Sequence, residues 1–407
     1  MQTSIVIILL GLFIFYGRYL SGLFERRSIP DVIGLMLIGI LMGPVFHWVD
    51  PISFGKFGSL FGNLVLIFIL FESGTDLRIA EVKSSFRESA GITTLNFFVT
   101  CIVLTILCVV VFDLSILSSL FVGATLGGTS SAVVTGLIKK VAVTPKTSTT
   151  LIMESAESDV FTLAIPLVIL GLMLTGQMEP RVVISNFISS LVIALVIGIG
   201  GAFIWSVIVN KFPTLKATSF ATPAFLFILY GITESLNFSG PLTALSFGIA
   251  IGNLEYLEPK ILEKIVPNQS IVLPQAEKVF FSQIVFLLRI FFFIFIGLSI
   301  QISRWDWLLW GAFMTAILYV LRIVVVQIIA SKQTPLLDKS MMAIMIPKGL
   351  GAAVIATLPL QEMHADGIII QAICFSVILF STFYCTALFF LIKTGKTLGF
   401  YSKFFRT

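Results

Sequence analysis

The sequence predicts an all-α polytopic membrane protein with about thirteen transmembrane helices, built as two inverted six-helix repeats with crossing discontinuous helices. Composition is the first observation behind this prediction, because 57% of the 407 residues are hydrophobic and only 12% are charged. The mean hydropathy of +1.06 is too high for a soluble domain of this size. The second observation is a series of apolar runs long enough to cross a bilayer, and the third is that two of these runs are interrupted.

Apolar runs of roughly 17–25 residues, the length that crosses a hydrocarbon core, define the predicted helices. The first run is followed by basic residues without a small-residue cleavage pattern, so we expect a retained helix and not a signal peptide. The runs, called spans 1 to 13 in chain order, lie at about 3–22, 30–47, 57–75, 90–112, 115–138, 147–173, 182–210, 217–236, 240–254, 279–301, 305–330, 337–360 and 367–392.

Lysine and arginine are distributed unevenly between the two sides of these spans. The connections after odd-numbered spans, together with the residues after span 13, hold about twenty of the 26 basic residues. The connections after even-numbered spans hold only Lys56, Arg181 and Arg304. Because cytoplasmic loops are the basic ones, the sequence predicts a multi-pass protein of the cell membrane with its N-terminus outside and its C-terminus in the cytoplasm. The net charge of +5 follows from this topology and needs no nucleic-acid partner.

Several charged residues lie at membrane depth. They are the acids Glu72, Glu154, Glu157 and Asp159 and the bases Arg289, Arg322 and Lys348. A charge at a helix centre costs on the order of 2.5–3.5 kcal/mol, so we expect these groups to be paired or hydrated in the protein interior. Some of them are expected to be structural ion pairs between helices. Four acids against three bases leave one carboxylate that can exchange partners.

The two halves of the chain carry similar motifs at an offset of seven spans. "IPDVIGLMLIGILMGP" in span 2 and "SGPLTALSFGIAIGN" in span 9 both contain Gly-x-x-x-Gly, and "FILFESGTDL" in span 3 is similar to "FFIFIGLSI" in span 10. An odd offset reverses the direction of equivalent helices, which indicates inverted repeats. The predicted organisation is one transmembrane domain over 1–407, with repeats at about 1–175 and 215–395, a linker helix at about 182–210 and a short basic tail at 393–407.

Spans 5 and 12 are interrupted by residues that favour a break in a helix. The interrupting residues are Gly127, Gly128, Thr129, Ser130 and Ser131 in "GATLGGTSSAVV", and Pro347, Lys348 and Gly349 in "IMIPKGLGAAV". Glycines permit unwinding, and the hydroxyl groups can bind exposed backbone or a cation. Paired discontinuous helices near the midplane are where inverted-repeat transporters bind ions. A face of small residues for helix packing is the alternative interpretation.

The motif "LIMESAESDVF" in span 6 holds the residues with the expected chemistry. At roughly 100° per residue, Ser155 and Asp159 share one helix face, whereas Glu154, Glu157 and Ser158 share another. Asp159 is the expected exchange group, because carboxylate oxygens bind hard monovalent cations and also accept a proton. Alternatively, Asp159 is locked to Arg289 in an ion pair.

These motifs together resemble the cation/proton antiporter superfamily, sodium/proton exchanger type, over essentially the whole chain. The similar stretches are "IPDVIGLMLIGILMGP", "FILFESGTDL", "GGTSSAVV", "ESAESDVF", "RIFFFIFIGL" and "PKGLGAAV". The resemblance implies the sodium/proton antiporter fold and a homodimer whose subunits have an interface domain and a core domain that moves like an elevator. It also implies that Asp159 carries both the cation and the proton.

The resemblance implies roles for individual residues of this chain. The ion-binding and proton-binding positions would be Asp159, Ser155, Thr129 and Ser158, of which the first three would contact Na⁺ or K⁺. The supporting charges would be Glu154, Glu157, Arg289, Arg322, Lys348 and Glu72. Glu154 would be held by a base such as Arg322, and Arg289 would offset the half-helix dipoles where the broken helices cross.

Three positions depart from the superfamily pattern. Ser158 stands before Asp159, where electrogenic members have an aspartate and electroneutral members an asparagine. Ser130 occupies a position that is aspartate in many sodium/proton exchangers, and Glu157 one that is expected to be apolar. With one carboxylate in the pair, we predict electroneutral exchange of one cation for one proton. Na⁺ is the favoured cation, with Li⁺ as a second, but a serine before the aspartate is also similar to K⁺/H⁺ relatives, so K⁺/H⁺ antiport is the alternative.

Other classes of function have less support in the sequence. A sodium-coupled organic-anion symporter shares the architecture but is expected to have a less acidic cavity. A cation channel would need a filter repeat, and a hydrolase would need a Ser/His or paired-Asp constellation, whereas His47 and His364 fall in outer loops. We expect no enzymatic activity, no cofactor beyond the transported ions, and no soluble regulatory domain in this chain. The expected partners are membrane lipid and a second copy of the chain.

Overall fold

The computed structural model describes residues 3–49, 55–76, 82–175, 180–212, 220–236, 238–254 and 275–405. These residues form helices and contain no strand. The helices are α1 (Thr3–Arg27), α2 (Asp31–Ile40), α3 (Gly55–Asp76), α4 (Val82–Phe112), α5 (Ile116–Thr125), α6 (Ser131–Ile138), α7 (Pro145–Thr175), α8 (Pro180–Lys211), α9 (Ala221–Ser235), α10 (Gly240–Gly252), α11 (Gln275–Ser299), α12 (Trp305–Ile329), α13 (Leu336–Ile344), α14 (Leu350–Ile355), α15 (Leu358–Gln361), α16 (Gly367–Lys393) and α17 (Leu398–Phe404). A π-helical turn, Leu41–Val45, follows α2 and contains Pro44.

A helix or a group of short helices lies at every predicted span. Among the described residues, seven helices are long and apolar enough to cross a membrane, and they lie in α1, α4, α7, α8, α11, α12 and α16. Span 5 divides into α5 and α6, and span 12 divides into α13, α14 and α15. The prediction of an all-α multi-pass membrane protein with discontinuous helices is confirmed. Residues 217–219 of span 8 and residues 406–407 of the predicted tail lie outside the described residues.

The chain divides into two compact units. The first consists of Met1–Gly62, Ser85–Met173 and Leu287–Thr407, and the second of Asn63–Ser84 and Leu174–Phe286. Every residue predicted for the ion site or its supporting charges belongs to the first unit, except Glu72, which belongs to the second.

Within the first unit, α2 packs against α11 through backbone atoms. A Cβ atom added to Gly39 would lie 2.1 Å from the carbonyl oxygen of Ile294, and one added to Gly297 would lie 2.1 Å from the carbonyl oxygen of Met36. Any larger residue would force the two helices apart. The glycines of these spans therefore permit direct contact between helix backbones, as small residues do in membrane proteins.

The second unit contains the same kind of contact between α10 and α3. A Cβ atom added to Gly248 would lie 2.4 Å from the carbonyl oxygen of Phe71, and one added to Gly74 would lie 2.5 Å from that of Leu245. The matching positions in the two units are Gly39 with Gly248, Met36 with Leu245, Ile294 with Phe71, and Gly297 with Gly74. On each of the four helices, the two contacting residues are three positions apart in the sequence. This recurrence supports the predicted inverted repeat, because it extends the motif similarity to individual contacts.

Candidate ion-binding site

Two helix breaks meet in the first unit. Residues 126–130 separate α5 from α6, and residues 345–349 separate α13 from α14. The backbone N–H of Ser130 donates to the carbonyl oxygen of Pro347 at 2.7 Å. Irregular backbone persists at membrane depth only where its polar groups find partners, and here one break supplies a partner to the other.

Lys348 joins the two breaks through its side chain. Its Nζ donates to the carbonyl oxygen of Gly128 at 2.9 Å, and its backbone N–H donates to the hydroxyl oxygen of Ser381 on α16 at 3.0 Å. Lys348 is only 1% exposed. Its positive charge therefore lies beside a freed carbonyl of the first break, at the crossing of the discontinuous helices.

The glycines of the first break allow neighbouring helices to approach it closely. A Cβ atom on Gly128 would lie 2.0 Å from Oγ1 of Thr162 on α7, and one on Gly127 would lie 2.4 Å from the ring of Phe97 on α4. The break is thus held between α4 and α7. Packing at these positions requires glycine for space, in addition to the backbone freedom that the sequence suggested.

Asp159 lies near the middle of the 31-residue α7 and is half-buried. The hydroxyl of Ser131 donates a hydrogen bond to the Asp159 carboxylate. Ser131 is the first residue of α6, so the carboxylate lies at the helix end where backbone N–H groups and the helix dipole favour negative charge. The sequence placed Ser131 among the break residues only, and the contact with Asp159 required knowledge of how α6 packs against α7.

The other hydroxyl residues predicted for the site form a chain of hydrogen bonds. Oγ of Ser158 accepts from the backbone N–H of Thr129 at 3.0 Å and donates to the carbonyl oxygen of Ser155 at 2.9 Å. The hydroxyl of Ser155 donates to the carbonyl oxygen of Ile152 at 2.8 Å. The side chain of Thr129 therefore lies against Ser158, which ties the first break to α7 one residue before Asp159.

Glu154 and Arg322 form a buried ion pair. The guanidinium Nη1 and Nη2 atoms donate to the two carboxylate oxygens of Glu154, each at 2.6 Å. Nε of Arg322 donates to the carbonyl oxygen of Met342 at 2.9 Å. The pair links α7, α12 and α13, and the charge of Glu154 is matched locally, five residues before Asp159 on the same helix.

Arg289 pairs with an acid that the sequence analysis did not count at membrane depth. Nη2 of Arg289 on α11 lies 3.2 Å from Oδ2 of Asp31, the first residue of α2. The Asp31 side chain is 5% exposed and that of Arg289 is 22% exposed. Asp31 was missed because it directly follows Pro30 at the edge of span 2, where a carboxylate is ordinarily solvated. The list of deep acids was therefore incomplete.

The remaining predicted charges are Glu157 and Glu72. Oε2 of Glu157 accepts from the hydroxyl of Thr93 on α4 at 2.9 Å, whereas Oε1 is buried and has no hydrogen-bond partner among the described residues. Glu72 is half-buried on α3, in the second unit. Glu157 thus faces a different helix from the one that contacts Asp159.

The described contact of the Asp159 carboxylate is with the Ser131 hydroxyl. Carboxylate and hydroxyl oxygens are ligands that hard cations prefer. Among the described residues, no group of three or more His, Cys, Asp or Glu side chains could hold a metal ion.

Known proteins with similar sequences are transporters. The K(+)/H(+) antiporter NhaP2 of Shewanella sp. (strain MR-4) is 24% identical over 239 residues, which cover 58% of this chain and 41% of that protein. This chain thus spans less than half of the length of that relative. Na(+)/H(+) antiporter 1 of Methanocaldococcus jannaschii is 25% identical over 313 residues, which cover 74% of this chain and 70% of that protein.

A solved structure shares the fold over the full length of both chains. It is the sodium proton antiporter MjNhaP1 from Methanocaldococcus jannaschii at pH 8, with a TM-score of 0.77, 22% sequence identity and 100% coverage of each chain. The fold predicted from the resemblance is confirmed. Residues 8–394 match the model for "Sodium/hydrogen exchanger, transmembrane", and this chain belongs to the sodium/hydrogen exchanger family.

Proposed function

We propose that this protein is a secondary active antiporter that exchanges a monovalent cation, Na⁺ in preference, for a proton. The observation that carries the proposal is the position of Asp159. Its half-buried carboxylate lies in the middle of α7 and accepts a hydrogen bond from Ser131, where the first broken helix resumes. A single carboxylate in this position can bind either a proton or a cation together with neutral oxygens.

Competition at Asp159 would couple the two fluxes. A bare carboxylate is costly to move through a low-dielectric barrier, whereas a protonated or cation-bound carboxylate is not. Glu154 is already neutralised by Arg322, and Ser158 contributes no charge. One cation would therefore exchange for one proton without net charge movement.

Alternating access would follow from movement of the elements that hold the site, in the manner of an elevator. Family membership supports this proposal, and so do the crossing breaks, which transporters with inverted repeats use near the membrane midplane. We further propose a homodimer in the cell membrane with the N-terminus outside, an orientation supported by the bias of Lys and Arg between loops.

The assignment of Asp159 is tested by reconstituting Asp159→Asn in proteoliposomes. The amide cannot take up a proton or neutralise a cation, so we expect exchange to be lost while the protein remains folded. Asp306→Asn makes the same chemical change at an exposed position and is the matched control. Exchange by Asp159→Asn at the wild-type rate would overturn the assignment.

The identity of the cation has a specific alternative. The Shewanella relatives, which are named K(+)/H(+) antiporters, support K⁺ as the cation of this protein. The Methanocaldococcus relative, which is named a Na(+)/H(+) antiporter, supports Na⁺. Dissipation of a pH gradient in proteoliposomes, titrated with Li⁺, Na⁺ and K⁺ in turn, separates the two. Uptake of an organic anion without a pH gradient would favour a symporter of the same architecture.

A further inference from the structure

The helix α17, which follows the last long helix, has two aromatic faces with opposite exposure. Tyr401, and Phe405 directly after the helix, are buried, at 3% and 4% exposed. Phe400 and Phe404 are 52% and 42% exposed, and their ring centroids lie 5.1 Å apart. A short surface helix that leaves two adjacent phenylalanines uncovered presents an apolar patch that water does not favour.

The helix α17 packs against α13, the first helix of broken span 12. The helix α17 begins five residues after the end of α16, which is long and apolar enough to cross a membrane. We therefore expect α17 to lie near the membrane boundary at the end of that span.

The charge of this segment complements an anionic surface. Residues 393–407 contain Lys393, Lys396, Lys403 and Arg406 and no acidic residue. Lys396 and Lys403 are exposed. Exposed aromatic side chains combined with basic residues are the composition of helices that lie in the headgroup region of anionic membranes.

We propose that α17 is a membrane-surface anchor: Phe400 and Phe404 insert among anionic phospholipids of the adjacent leaflet, while the helix remains packed against α13. This inference goes beyond ion exchange and does not depend on it. The Met342 carbonyl of α13 accepts a hydrogen bond from Arg322. The helix α13 therefore contacts both the proposed anchor helix and the Glu154–Arg322 pair. The occupant of the exposed face is thus lipid, with a second copy of the chain or a soluble protein as the competing possibilities.

Depth in the bilayer tests the proposal directly. An environment-sensitive fluorophore on Phe404→Cys is examined in proteoliposomes rich in phosphatidylglycerol, with nitroxide-labelled lipid and with aqueous iodide on both sides of the membrane as quenchers. The native cysteines are all buried, and Met363→Cys, at a position 92% exposed, is the control. We expect lipid quenching and protection from iodide at Phe404→Cys, and the reverse at Met363→Cys. Iodide quenching as strong at Phe404→Cys as at the control would overturn the proposal.

The lipid preference is tested by removing charge. Lys396→Gln and Lys403→Gln should each weaken the electrostatic attraction to phosphatidylglycerol about fivefold, whereas Arg304→Gln, at an exposed position predicted to lie on the opposite side of the membrane, should not. Equal protection of the Phe404→Cys label in phosphatidylcholine and phosphatidylglycerol would contradict an anionic partner. Efficient disulfide crosslinking of Phe404→Cys between protomers would assign the face to a second copy instead.

Discussion

The guanidinium of Arg322 binds both carboxylate oxygens of Glu154, and neither side chain is more than 1% exposed. Each partner is buried as an ion only because the other compensates its charge. Removal of one partner leaves an uncompensated buried charge, which costs about 3–5 kcal/mol, whereas removal of both does not.

We therefore expect Glu154→Gln and Arg322→Met each to lower the free energy of unfolding by about 3–5 kcal/mol. The double variant should be more stable than either single variant. Thermal unfolding in detergent, followed for the four proteins of this cycle, provides the measurement. If the double variant lost as much free energy of unfolding as the two single variants together, the two charges would not be compensating each other.

The Asp31–Arg289 pair should be less sensitive to the same change. The side chain of Arg289 is 22% exposed, so water can hydrate the guanidinium when its partner is neutralised. We expect Asp31→Asn to lower the unfolding midpoint by clearly less than Glu154→Gln does, under identical detergent conditions. If Asp31→Asn lowered the unfolding midpoint as much as Glu154→Gln or more, hydration of the Arg289 guanidinium would not compensate for the lost ion pair.

Glycine is required at position 128 for reasons of space. A Cβ atom there would meet the Thr162 hydroxyl at 2.0 Å and the backbone carbonyl oxygen of Ser158 at 3.0 Å. Overpacking of this kind costs about 1–3 kcal/mol and shifts backbone, so Gly128→Ala should lower both stability and exchange rate. Gly171→Ala is the control, because nothing lies within 4 Å of a Cβ atom at that position of α7. Comparable losses in both variants would point to a general intolerance of alanine.

The charge movement of exchange should depend on position 158. Ser158 accepts from the backbone N–H of Thr129, a contact that a carboxylate or an amide can also make. We expect wild type and Ser158→Asn to carry no net current in proteoliposomes under a clamped membrane potential. Ser158→Asp adds a second carboxylate beside Asp159, so its exchange should become voltage-dependent. A voltage-dependent rate with net current in the wild type would contradict one-for-one exchange.

Sequence patterns predicted the helices and their interruptions because these depend on local composition. Apolar run length locates the spans, and glycine, proline and hydroxyl residues at 127–131 and 347–349 locate the breaks observed at 126–130 and 345–349. The π-helical turn at Leu41–Val45 was not predicted, although Pro44 lies within it. The proline removes a backbone donor, but the form of the resulting irregularity depends on packing.

Contacts between distant parts of the chain were less accessible from the sequence. The family resemblance implied the pairing of Glu154 with a base such as Arg322, and the structure shows this pair. The hydrogen bond from Ser131 to Asp159 and the pairing of Arg289 with Asp31 depend on the relative positions of whole helices. The roles of these residues in ion exchange remain predictions.

Two pairs of glycines, Gly39 with Gly297 and Gly74 with Gly248, bring the backbones of two helices into direct contact, and we expect these contacts to limit relative movement of the helices. Backbone atoms of the two helices meet directly at each contact, so a change of side-chain rotamer cannot relieve the crowding that a larger residue would cause there. We expect the contacting segments of each helix pair to move together. Any rearrangement during a transport cycle would then be absorbed outside these contacting segments.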